Sequence, residues 1–174
     1  MAQTWTAYFS QVTFGNGKSM AGILNSHASE VLTIYRVGLL NSQTSPVTGV
    51  LCELLLRSYR GTATYTGSTT ITPVTHDSTN TAPASATYGH NGTPGGSTNS
   101  LLRRVMWSND EPAFSSATSD EFECIVPWNI IWDAGYGDSN IQGFALRTTE
   151  LMVLVNNTNT TVGVLDTWME FTKS

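Results

Sequence analysis

Residues 162–172 alternate without a break: Leu165, Thr167, Met169 and Phe171 fall on one side, and Asp166, Trp168 and Glu170 on the other. A period of two is what a strand with one face in a core requires, because successive side chains leave the backbone on opposite sides. The pattern recurs at 50–58, where Val50, Cys52, Leu54 and Leu56 oppose Leu51, Glu53, Leu55 and Arg57. Strands are also predicted near 4–13, 19–25, 101–107, 121–132 and 143–155. In 62–75 Thr and Ser alternate with Ala63, Tyr65 and Ile71, which suits a pleated strand because β-branched side chains fit the pleat. Residues 31–40 (VLTIYRVGLL) are apolar on both faces and predict a central strand covered on both sides. About eight or nine strands and no convincing helix point to an all-β fold. The expected architecture is one β-sandwich or jelly-roll domain over 1–174, with a closed up-and-down barrel as the alternative.

The connections carry turn chemistry. Gly15-Asn16-Gly17 between two strands predicts a hairpin. Asn41 to Pro46 and Asn156 to Thr160 read as polar loops. Residues 76–100 (HDSTNTAPASATYGHNGTPGGSTNS) are rich in Gly, Pro, Ser, Thr and Asn, and predict a long flexible loop inserted in the single domain. Residues 108–120 are a shorter excursion of the same kind. No internal repeat is present.

Composition excludes several classes. Of 174 residues only 12% are charged, while Ser, Thr and Asn together make 56. A net charge of −5 with eight scattered cations gives no basic stripe, which argues against a nucleic-acid partner. No apolar run approaches the roughly 18 to 20 residues that span a bilayer, so no membrane partner is expected. Glu, Lys, Ala and Leu are too few for a coiled coil or helical bundle. A hydrophobic content of 40% and an aromatic content of 10% are core-forming, which argues against disorder. The opening MAQTWTAYFSQ lacks a cationic segment followed by an apolar one, so synthesis and release in a cytoplasm are expected.

No residue set with catalytic, cofactor-binding or metal-binding spacing emerges. Cys52 and Cys124, each in an apolar stretch, read as buried thiols; neither has the neighbours that zinc needs. Sequons at Asn91, Asn156 and Asn159 are what an Asn- and Thr-rich chain yields by chance. His27, His76 and His90 are separated and predicted on exposed loops. Glu121 and Glu123 share a strand face and form the one pair suited to glycoside hydrolysis or calcium, with an acidic solvent face as the plainer reading. Asp133 and Asp138 flank a Gly-rich loop that lacks the ligand pattern of a calcium loop; a turn with Asp side chains bonding their own backbone is expected. Trp128 and Trp132 share a face with Ile130 between them, which favours core or a subunit interface. Trp107 and Trp168 lie on other strands and, if exposed, would form a stacking platform for sugar rings. Trp5 is a candidate for contact with a neighbouring subunit.

The segment LLRRVMWSNDEPAF at 101–114, followed by PWNIIWDAGYGDSNIQGFALRTTELMVLVNN at 127–157, resembles small structural proteins encoded by tailed bacteriophages. The resemblance implies a jelly-roll or sandwich subunit on a virion surface, often trimeric, acting as capsid decoration or cement. It implies no catalytic residue and no cofactor. The expected partners are the major capsid protein and further copies of the chain. A carbohydrate-binding or receptor-binding module of a phage tail is the alternative, on the strength of five tryptophans and Asn- and Thr-rich loops.

Overall fold

The computed structural model describes residues 3–42, 50–109, 129–135, 142–159 and 163–174. Among them the chain forms β1 (Gln3–Thr13), β2 (Ser19–Asn25), β3 (Leu32–Asn41), β4 (Val50–Arg60), β5 (Thr64–Thr66), β6 (Thr69–Thr70), β7 (Val74–Thr75), β8 (Ala86–His90), β9 (Thr93–Gly95), β10 (Thr98–Asn109), β11 (Asn129–Asp133), β12 (Phe144–Leu146), β13 (Glu150–Asn156) and β14 (Val164–Lys173). Two antiparallel sheets carry the fold. The first runs β11-β3-β14-β1-β7, with β12 also on β3; the second runs β10-β4-β13-β2-β8-β6. The chain passes between them repeatedly: β1, β3, β11 and β14 lie in one sheet, and β2, β4, β10 and β13 in the other. Eight principal strands exchanged between two packed sheets make a jelly-roll sandwich.

The described strands number fourteen, against the eight or nine expected. The six extra ones are two to five residues long, too short for alternation to register. Several of the sequence expectations are corrected, among them the single strand expected over 62–75, which is three short strands, β5, β6 and β7, in three different sheets. Residues 76–100 are not one loop, because they contain β8, β9 and the start of β10. Tyr88 of β8 is 4% exposed. Its segment ATYGH has a single large apolar residue, so the strand is defined by main-chain pairing of Ala86–Gly89 with Gly22–Asn25. Gly15-Asn16-Gly17 is not a hairpin, since β1 and β2 lie in different sheets. The Lys18 N–H donates to the Gly15 carbonyl at 3.0 Å, and Gly17 takes φ 66°, so this tight turn moves the chain between layers. Finally, β3 packs against a second sheet on one face only. Leu32, Ile34, Val37 and Leu39 are buried, a bulge at Tyr35 interrupts the alternation, and Tyr35 and Leu40 are half-buried on the outside.

The strand covered on both faces is β13, whose seven residues are all buried. Met152 and Leu154 face the main core, while Leu151, Val153 and Val155 join Tyr59, Ala63 and Tyr65 in a second cluster. The two-stranded β5-β9 sheet roofs that cluster. Tyr65 pins the roof. Its ring passes over Gly22 and Gly92, where an added Cβ would come within 2.8 and 2.5 Å of ring carbons. Its hydroxyl donates to the Gly89 carbonyl and accepts from Ser19 Oγ, both at 2.6 Å.

At the centre of the main core three rings stack across the sheets. Trp5 of β1 lies 5.7 Å from Phe171 of β14, and Phe171 lies 5.3 Å from Tyr88 of β8. Trp5 is therefore an interior residue of its own chain, not a contact for a neighbour. Cys52 is a buried free thiol on the inner face of β4, as its alternation with Glu53 implies. Burial pushes its pKa from 9.0 up to about 12. Below the ordinary value both states keep the proton. Between 9.0 and about 12 only the unfolded chain ionises, so this group withdraws stability as pH rises through that window. In a Cys124→Ser background, Cys52 is expected to resist a thiol reagent in the folded protein and to react at once in guanidinium chloride. Rapid labelling of the folded protein would contradict its placement.

Candidate functional site

The three histidines lie on separate elements. His27 Nδ1 accepts the backbone N–H groups of Ser29 (3.2 Å) and Glu30 (2.9 Å), which fixes the β2–β3 turn. His76 Nε2 lies 2.7 Å from Thr6 Oγ1 on the surface. His90, at the end of β8, meets the Phe9 ring edge-on at 6.2 Å, and burial lowers its pKa. It is half-buried, which departs from the exposed loop expected for it. Among the described residues no group of His, Cys, Asp and Glu is arranged to hold a metal. Glu121, Glu123, Cys124, Trp128 and Asp138 lie outside the described residues, as does the side chain of Trp107. Asp133 behaves as its turn chemistry suggests: Oδ1 accepts the Gly135 N–H at 2.8 Å. Trp132 turns inward and packs against the main core.

What the fold does assemble is a polar and aromatic face on the outside of the first sheet. The inner residues of β14 are Leu165, Thr167, Met169 and Phe171, all fully buried, so Asp166, Trp168 and Glu170 point outward. The register sets Trp168 between Tyr8 on β1 and Gly38 on β3. Glu170 lies between Thr6 and Arg36 one row along. Arg36 carries that row across β3 to β11, with Nη1 3.2 Å from Glu170 Oε2 and Nε 3.4 Å from Asp133 Oδ2.

Two details stiffen this face. A Cβ built on Gly38 would stand against three carbons of the Trp168 six-membered ring, so the indole lies face-down on the β3 backbone. Glycine is needed there for close approach, and any side chain would lift the ring. Beside it, the Tyr8 hydroxyl donates to Asp166 Oδ2 at 2.5 Å, and the Gln11 N–H donates to Asp166 Oδ1 at 2.5 Å. Gln11 sits at φ 48° in the β1 bulge, and the carboxylate holds that turn of backbone. Partial burial, then the hydrogen bond to Asp166, lifts the Tyr8 phenol to about 12.

The alternation of residues 165–171 already separated Asp166, Trp168 and Glu170 from the core. Tyr8, Gly38 and Arg36 carried no comparable signal, because their membership depends on which strands flank β14. Comparison of the chain with protein-family models, with curated proteins and with solved structures returned no match.

Proposed function

We propose that the chain is a non-enzymatic structural subunit of a virus particle, a capsid decoration or cement protein. In this reading it assembles as a homotrimer and binds the major capsid protein on the virion surface, using neither nucleic acid nor membrane. The observation that carries the reading is β10. This twelve-residue strand ends the second sheet, pairs only with β4 among the described residues, and leaves Leu101 and Met106 47% and 57% exposed. A long edge strand with apolar side chains in water invites unwanted pairing, and natural proteins guard such edges, often with lysine. Here the strand has no lysine; its charges are Arg103 and Arg104, and Arg104 is engaged by Glu53 at 2.5 Å. A permanent neighbour removes the hazard.

The resemblance to tailed-phage structural proteins supports the same reading, and its first segment, 101–114, includes most of β10. A chain with 12% charged residues would build such an interface from apolar area and neutral hydrogen bonds, so assembly should tolerate salt. The test is co-sedimentation with shells of the major capsid protein encoded in the same genome. The protein is expected to pellet with the shells, and Leu101→Lys/Met106→Lys to stay in the supernatant with an unchanged circular dichroism spectrum. A wild-type chain that stays in the supernatant would overturn the proposal.

A further inference from the structure

The outer face of the first sheet lies on the opposite side of the sandwich from the outer face that carries Leu101 and Met106, so what it does is independent of the assembly reading. Its central indole has one face seated on Gly38, which turns the other face away from the sheet. Trp168 is half-buried, and its cross-strand neighbour Tyr8 is 42% exposed. Asp166 and Glu170 stand two residues to either side of Trp168 along β14, so the carboxylate rows flank the ring at about 6 to 7 Å.

We propose that this face is a carbohydrate-binding site, with Trp168 as the platform for a neutral hexopyranose ring. The C–H groups on one side of a pyranose pack on the negative face of an indole, and the ring hydroxyls project sideways to the flanking rows. Glu170 and Asp133 accept from those hydroxyls and Arg36 donates to them. The ligand class follows from charge. Asp133, Asp166 and Glu170 outnumber Arg36, so sialylated, sulfated or phosphorylated sugars meet net repulsion while neutral hydroxyls do not. Pre-organisation follows from geometry. Gly38 fixes the indole and the Asp166 hydrogen bond fixes Tyr8, so little side-chain freedom is lost when a sugar docks.

The test is saturation-transfer NMR on the whole protein with neutral glucose, galactose and mannose oligosaccharides, with sialyllactose as the anionic probe. At least one neutral sugar is expected to show transfer from the aromatic protons, and sialyllactose none. Trp168→Ala should weaken that binding at least about tenfold. Because Trp168 also covers Gly38, Arg36→Gln serves as a second variant that leaves the platform in place. It is expected to weaken binding by a few fold with an unchanged melting temperature. No transfer from any neutral sugar would overturn the site. So would transfer that survives both substitutions, or transfer from sialyllactose alone.

Discussion

Phe171→Ala is expected to remove about 3–5 kcal/mol of stability, the usual loss when a buried aromatic side chain is cut back to a methyl group. Phe171 is fully buried at the middle of the Trp5–Phe171–Tyr88 stack, and it is the one ring of the three that touches both others. Deleting it opens a cavity between the two sheets and strips Trp5 and Tyr88 of their stacking partner at once. Neither can refill the space easily. Trp5 is fixed on β1 by pairing with β14, and Tyr88 is held on β8 by pairing with β2 and by a hydrogen bond from its hydroxyl to the Pro83 carbonyl. A domain of this size is stable by about 5–15 kcal/mol in all, so the variant should melt on the order of 10 °C lower or fail to fold at expression temperature. Calorimetry or thermal circular dichroism measures it. A loss below about 1 kcal/mol would show that the ring does not bridge the layers.

Tyr65→Ala is the second large effect, and its signature is local as well as global. The ring supplies much of the apolar contact between the β5-β9 roof and the outer face of β13, and its hydroxyl ties that roof to Ser19 and Gly89. Losing both is expected to cost about 3–5 kcal/mol. The milder Tyr65→Phe keeps the ring and is expected to cost about 1–3 kcal/mol, because buried polar partners are left unpaired. The two variants separate packing from hydrogen bonding. Hydrogen exchange should also rise first in residues 64–66 and 93–95, which roof the cluster, while β1 and β14 keep their protection. Equal loosening across both sheets would contradict a separate outer layer.

The contrast between β14 and β8 explains how much of this fold is legible in the sequence. Residues 165–171 declare both their strand and its buried face, because a half-covered strand must alternate. Cys52, Leu54 and Leu56 do the same for β4. Residues 86–90 declare nothing, since a strand with one large apolar residue is defined by its neighbour's backbone. VLTIYRVGLL misleads for another reason. The outer side of β3 is covered by a side chain from the adjacent strand, Trp168 over Gly38, and not by a further layer. The doubly covered strand is the less conspicuous ELMVLVN. The aromatic face was half legible. Its β14 members follow from periodicity, whereas Tyr8, Gly38 and Arg36 join them only through the order β3-β14-β1, a long-range pairing that local sequence does not encode.

The assembly reading is tested most directly by the mass of the particle in solution. Light scattering on the purified protein is expected to give three times the 18.8 kDa chain mass, with little change at high salt. Leu101→Lys/Met106→Lys is expected to give the single-chain mass with the fold intact. A wild-type protein that runs as a monomer at every concentration, or a trimer that survives both substitutions, would contradict assembly through β10.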